Sequence, residues 1–256
     1  MSAASEPRES DARPPARAGA RAADKLRELT IEPGFVATAT GSALISAGET
    51  RVICTASIQR GVPRWRAGQG KGWLTAEYGM LPASTGERKQ RDVTRGRPDG
   101  RTVEIQRLIG RALRGVIDVD KLGERTVYID CDVLTADGGT RCAAITGGYV
   151  ALALGCARLE RNGELADSPL TGSVAAVSCG VVAGTPMLDL DYVEDSSAEV
   201  DANVVMTDAG GLVEVQATAE RTPLSRAHLD ELLVLAAAGI GALRVAQDAA
   251  IGLGSR

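Results

Sequence analysis

Two groups of side chains in this chain have the types and spacing that phosphate chemistry needs. In Ala136-Asp137-Gly138-Gly139-Thr140-Arg141, two glycines separate a β-like run from a helix-like run that opens at a hydroxyl-bearing residue. Such a turn aims backbone N–H groups and the positive end of a helix at one spot, and Arg141 adds a forked donor suited to phosphate oxygens. Gly139, Thr140 and Arg141 are therefore candidates for an anion site, although the same pattern also serves as an ordinary helix cap. No G-x-x-x-x-G-K-[ST] occurs, so the turn is not an ATP-type phosphate loop. Gly100-Arg101-Thr102 repeats the logic, with Thr102 at the expected start of a second helix. Arg88, Lys89, Arg91, Arg95 and Arg97 lead into it, and arginines on a loop can grip successive backbone phosphates of RNA.

The second group is acidic. Leu188-Asp189-Leu190-Asp191-Tyr192-Val193-Glu194-Asp195 continues to Glu199 and Asp201. Strand alternation is expected to put Asp189 and Asp191 on one face, with Asp195 and Asp201 across a Ser-rich turn. Carboxylates without a compensating cation suggest a hard metal such as Mg²⁺, a natural companion of phosphate chemistry. An acidic loop that binds nothing would look the same. The single histidine, His228, sits on a helical pattern and reads as a helix-end residue. Hydrolysis by paired histidines therefore lacks its parts. Phosphorolysis does not, because inorganic phosphate is already an anionic nucleophile and needs positioning more than deprotonation.

Elements must hold these residues. Val52, Cys54 and Ala56 alternate within a strand at about Thr50–Ile58, preceded by a short one at Ser42–Ile45. Gly61 to Arg101 reads as one long functional loop in which Trp65, Trp73 and Tyr78 either stack bases or belong to the core. Ile105, Leu108, Ile109, Ala112, Leu113 and Val116 recur at helical spacing, with Arg107, Arg111 and Arg114 on the other face. A strand over Thr126–Leu134 is expected to lead through the Gly138-Gly139 turn into a helix over Thr140–Arg161. Strands near Ser173–Val182, Met187–Tyr192 and Leu212–Thr218 and a helix from Ser225 to about Ala246 repeat the theme. The chain is therefore expected to be α/β (α+β) with an internal pseudo-repeat.

The net charge of -4 over 256 residues argues against a protein that coats nucleic acid. Charge is nonetheless polarised: Arg51 to Arg114 holds 14 Lys/Arg against 5 Asp/Glu, while Thr185 to Glu214 holds 8 Asp/Glu and no Lys or Arg. The first segment suits polyanions and the second suits cations. Five scattered cysteines fit reduced core thiols. No run approaches the roughly 18 apolar residues of a membrane span, so no membrane partner is expected. Residues 1–20, rich in Ala, Arg, Pro and Ser, read as a disordered leader, with one domain over 21–252 and a cytoplasmic location.

Gly72-Trp73-Leu74-Thr75-Ala76-Glu77-Tyr78-Gly79-Met80-Leu81-Pro82, Gly100 to Arg111, Asp130 to Leu134 with Gly138 to Arg141, and Leu188 to Tyr192 closely resemble the bacterial ribonuclease PH family. The likeness runs in order from about Leu26 to Ala250. The resemblance implies a ribonuclease PH fold, related to the second domain of ribosomal protein S5 with a βαβα repeat. It implies a phosphate-dependent 3′-to-5′ exoribonuclease that trims tRNA precursors to their CCA end, releases nucleoside diphosphates, and also runs backwards as a nucleotidyltransferase. By the same resemblance Arg101, Gly139, Thr140 and Arg141 bind the phosphate co-substrate, and Asp195 and Asp201 are the catalytic or metal-binding pair. Arg88, Lys89, Arg91, Arg95 and Arg97 bind RNA, and the assembly is a hexameric trimer of dimers. The chain departs from the family at Arg17-Ala18-Gly19-Ala20-Arg21, which lacks the usual aspartate, and at Ala83 and Gln90. Two other readings stay open on the residues: a silent RNA-binding ring subunit, and a hydrolytic metal-dependent nuclease.

Overall fold

The computed structural model describes residues 17, 20–91, 94, 96–97, 99–220 and 223–254. The first sheet contains β1 (Leu29–Pro33), β2 (Gly41–Ala47), β3 (Thr50–Arg60), β4 (Trp73–Met80) and β5 (Arg125–Thr135), in the order β1-β2-β3-β5-β4. All neighbours are antiparallel except β4 and β5, which run parallel. A parallel pair needs a crossover, and α1 (Gly100–Arg114) with the short α2 (Val119–Leu122) supplies it. The expected alternation holds on β3 and β5, where Val52, Cys54, Ala56, Val127, Ile129, Cys131 and Val133 face the core.

From β5 the chain turns through Gly138 and Gly139 into α3 (Thr140–Arg161). The second sheet, antiparallel throughout, is ordered β7-β6-β8-β9, with β6 (Val174–Val182), β7 (Thr185–Leu188), β8 (Val200–Thr207) and β9 (Leu212–Ala219). A six-residue helix, α4 (Tyr192–Ser197), links β7 to β8, and α5 (Arg226–Gly254) closes the chain. The two sheet-and-helix halves follow the expected repeat in outline and differ in the parallel pair of the first.

Helix α3 joins the halves. It packs on β2 and β3 of one sheet and β6 of the other, with α1 and α5 at its sides. A helix covered all round must be apolar all round, and 17 of its 22 residues are buried. By length and composition it is also a candidate membrane span, with a mean hydropathy of 1.5, which corrects the expectation that no such run exists. Its burial between two sheets makes it a core helix. Small residues bring the layers together: a Cβ on Gly41 of β2 would overlap the Ala151 carbonyl oxygen and the Gly155 backbone, and one on Gly147 would lie 2.8 Å from the Cys54 sulfur. All five cysteines are buried free thiols. Burial pushes Cys156 and Cys179 up to about 12, so neither is a thiolate at neutral pH.

Several expectations need correction. Gly61 to Arg101 is not one loop, because Leu74, Ala76 and Tyr78 point inward and make β4 the edge of the first sheet. Helix α1 starts at Gly100 with Asp99 as its N-cap, whereas Thr102 is buried inside the first turn. The strand expected at Met187–Tyr192 ends at Leu188. Asp189 takes a left-handed conformation at φ 54° and Asp191 caps α4 through a capping box with Glu194, so the two do not share a strand face. Strand β8 lies where a Ser-rich turn and an unassigned run stood. It is buried on both faces, and its apolar run Val204-Val205-Met206 interrupts the alternation that marks a strand. Most of the expected leader lies outside the described residues, but Arg17 is buried inside the fold, so residues 1–20 are not wholly a leader.

Gly41→Ala should lower the unfolding free energy by about 1–3 kcal/mol through overpacking against α3, to be read as a shift in the midpoint of urea denaturation.

Candidate active site

The two ends of the parallel strand pair build the site. Strand β4 leaves its carboxyl end toward the basic loop and Arg101, while β5 leaves its own toward the Gly138-Gly139 turn. Both glycines take left-handed φ values, 74° and 66°, and Gly139 caps α3 without any side-chain hydrogen bond to the first turn. The N–H groups that open a helix have no partner within it, and here no side chain of the cap covers them. Thr140 is buried, and its hydroxyl meets the Tyr78 hydroxyl at 2.9 Å. Tyr78 therefore belongs to the core and not to a base-stacking surface.

Arg141 is aimed by neighbours that the sequence alone did not reveal. Its Nη1 donates to Gln216 Oε1 on β9 at 2.8 Å and lies 3.4 Å from Glu104 Oε1 on α1. Gln216 Nε2 donates in turn to Glu104 Oε1 and Glu214 Oε1, each at 2.9 Å, and Glu214 pairs with Arg111. Gln216 sits on a strand whose alternation was legible, yet nothing in its linear position ties it to Arg141. The partly satisfied guanidinium keeps further donors for an anion.

Asp195, on α4, and Asp201, on β8, are brought together by the second half of the chain. Burial and then the charge of Asp195 push the Asp201 carboxyl up to about 6, while Arg141 and Arg101 pull the other way. A single carboxyl thus feels the other acid and the positive charges of Arg101 and Arg141, so these four side chains lie in one electrostatic neighbourhood.

Two other acids of the segment, Asp189 and Glu194, are neutralised by arginines, contrary to expectation. Arg27 forks onto Asp189, with Nη2 to Oδ1 at 2.7 Å and Nε to Oδ2 at 3.1 Å, and its backbone N–H donates to Oδ2 at 2.8 Å. Arg17 forks onto Glu194 at 2.6 and 3.0 Å and donates to the carbonyls of Leu188 and Asp189, and Arg21 reinforces both contacts. These contacts hold Asp189 in a backbone conformation that costs a non-glycine residue about 1–2 kcal/mol. Among the described residues no group of three or more His, Cys, Asp or Glu converges as a metal cage.

Arg88, Arg91 and Arg97 are exposed on the loop before α1, and Arg95 lies outside the described residues. Lys89 reaches the Asp99 carboxylate at 3.6 Å and so ties that loop to the start of α1. Trp65 and Trp73 meet edge to face at 4.8 Å, with Arg66 over both rings and Arg114 over Trp73. His228 lies in the first turn of α5, where its backbone N–H donates to Ser225 Oγ at 3.0 Å.

The sequence pattern of the 3′ exoribonuclease family matches this chain twice, its domain 1 over residues 25–158 and its domain 2 over 172–239. The ribonuclease PH of Rhodospirillum rubrum is 55% identical over 235 residues, 92% of this chain and 98% of the relative. Among solved structures, rice (Oryza sativa) Rrp46 superposes with a TM-score of 0.74 at 17% identity, covering 92% of this chain and all of that one. The Archaeoglobus fulgidus exosome with RNA bound to the active site gives 0.75 at 21% identity, over 90% of this chain and 92% of that one. At such identities these two speak for the fold alone. With both family domains matched in order and a relative more than half identical over nearly its whole length, the chain belongs to the 3′ exoribonuclease family, in its ribonuclease PH group.

Proposed function

We propose that this chain is a phosphate-dependent 3′-to-5′ exoribonuclease that trims nucleotides beyond the 3′-CCA end of tRNA precursors. The observation that carries the reading is the convergence of Arg101, Arg141 and Asp195 on Asp201, beside an open helix N-terminus. Gly139 and Thr140 offer backbone N–H groups to inorganic phosphate, and Arg101 and Arg141 add charged donors from two helices. A phosphate oxygen attacks the last internucleotide phosphorus, and the bond to the 3′ oxygen of the preceding residue breaks. The departing nucleotide then carries two phosphates as a nucleoside diphosphate. The shortened RNA keeps a 3′ hydroxyl, and the same atoms in reverse add a nucleotide from a diphosphate.

Asp195 and Asp201 fit a divalent cation such as Mg²⁺, which takes one or two carboxylates and completes its shell with water and phosphate oxygens. When bound, such a cation neutralises charge that develops on the reacting phosphate. Arg88, Lys89, Arg91, Arg95 and Arg97 would guide the RNA backbone, with Lys89 also fixing the loop. One catalytic domain over residues 21–252, anchored by Arg17, is supported by the sharing of α3 between both sheets. A hexameric trimer of dimers in the cytoplasm, as in the ribonuclease PH family, would gather the basic loops of neighbouring copies around a tRNA.

Purified protein should shorten a tRNA bearing a 3′ extension only when phosphate is supplied, and it should release diphosphates. Monophosphates released without phosphate would instead establish hydrolysis and end this reading. Arg141→Ala should cut phosphate-dependent turnover by about 10²–10³-fold, as loss of one aligned oxyanion donor does, while RNA binding in a filter assay persists. Asp201 adds a pH signature. Its folded value of about 6 lies above the ordinary range of an aspartate, so its contribution to stability is present at low pH and is lost as pH rises through about 6. In metal-free protein, Asp201→Asn should therefore raise the melting temperature at pH 7.5 and gain less at pH 5. Mn²⁺ binding measured by calorimetry should weaken below pH 6 in the wild type and stay weak at every pH in Asp201→Asn.

A further inference from the structure

Arg27 touches both halves of the site without belonging to the groups that would meet substrate. Its side chain is only 8% exposed and forks onto Asp189, at the head of the acidic segment that runs through α4 to Asp195. The same guanidinium donates to the Asp137 carbonyl, lies 3.5 Å from the Gly138 carbonyl and stands 3.9 Å from the Asp137 carboxylate. A Cβ on Gly139 would sit 3.1 Å from Arg27 Nη2, so the arginine lies directly against the residue that caps α3.

The two segments it joins also touch each other. A Cβ on Gly138 would come within 2.5 Å of the Leu190 carbonyl oxygen and 2.8 Å of the Asp191 carbonyl carbon. The Tyr192 N–H donates to Asp137 Oδ1 at 3.2 Å. Thr50 fixes the far side of the turn: its hydroxyl donates to the Gly138 carbonyl at 2.7 Å and accepts from the Asp137 N–H at 2.9 Å. The turn therefore has one neutral anchor on the first sheet and one ionic anchor, Arg27, that reaches across to the second half.

We infer that Arg27 is a positioning residue for the phosphate co-substrate: by clamping Asp189 and the carbonyls of Asp137 and Gly138 together, it holds the anion-binding turn in register with Asp195 and Asp201. With the Asp137 and Gly138 carbonyls engaged by Arg27 and Thr50, the N–H groups that open α3 are the ones left for an anion. Lysine keeps the charge but has a single point of donation, so it cannot serve Asp189 and the turn at once. The inference rests on the reading of this turn as the phosphate site.

The test uses the full chain with Arg27→Lys and, separately, Asp189→Asn, measuring steady-state kinetics with phosphate and RNA varied in turn. The phosphate KM should rise about tenfold or more in each variant, as when a group that orients a ligand is lost, while the RNA KM stays put. The double variant should be no worse than the poorer single one. Inorganic phosphate alone should raise the melting temperature of the wild type and do so much less in either variant. An unchanged phosphate KM and phosphate-induced shift in folded Arg27→Lys would overturn the inference. So would equal rises in both KM values that track a lower melting temperature, since that is a loss of folding only. Should Arg27→Lys fail to fold, the nearly isosteric Asp189→Asn carries the same two readouts. If the wild-type reaction needs no phosphate, phosphorolysis fails, and the RNA-free melting measurement still decides whether Arg27 sets the anion affinity of the turn.

Discussion

Helix α3 can be buried only if two sheets close on it, and most of the remaining architecture follows from that requirement. Its Ile, Val and Leu side chains each contribute about 1.5–3 kcal/mol when removed from water, and they are spread round the helix and not confined to one stripe. One sheet would leave half of that surface wet. Because β2, β3 and β6 pack against the same cylinder, the N-terminus of α3 emerges at the seam between the sheets. Gly139, Thr140 and Arg141 are thereby set beside residues of β8 and β9 that lie 60 or more positions later in the chain, among them Asp201 and Gln216.

Charge is sorted at that seam by small differences in position. Asp189 and Glu194 are committed to Arg27, Arg17 and Arg21, and Asp191 to the capping of α4, so their carboxylates are spent on structure. Asp195 and Asp201 are left facing each other, and the repulsion between them joins burial in holding the Asp201 proton. The arrangement favours whatever cation relieves the pair. The same arginines that quiet the structural acids enter from the N-terminal segment, so the Arg17 to Arg27 stretch decides which acids of the segment are held in ion pairs.

Much of this was legible in the sequence, for identifiable reasons. Alternation on β3 and β5 and the helical spacing of α1 reported single faces that really are buried on one side. The Gly138-Gly139 turn was readable because only glycine suits two successive left-handed residues. What could not be read was pairing at a distance. Four alternating residues, Leu188-Asp189-Leu190-Asp191, look like a strand until Arg27 captures Asp189 and turns the chain. Strand β8 alternates only over Val200-Asp201-Ala202-Asn203 before the apolar run Val204-Val205-Met206 ends the period, and β4 was hidden among glycines and arginines that belong to its flanking loops. Arg17 looked like part of a polar leader because its acidic partner lies 177 residues away.

The doubly covered α3 has a consequence for biosynthesis. A ribosome delivers the first sheet, α1 and the whole of α3 before any residue of β6 or α5 exists. During that interval the flank of α3 destined for the second sheet, where Cys142 and Thr146 later meet Asn203 and Ala176, has no partner, in a helix as hydrophobic as a membrane span. The nascent half is therefore the form most exposed to aggregation or to capture by chaperones. Completion of the last helix converts that hazard into the packed interior.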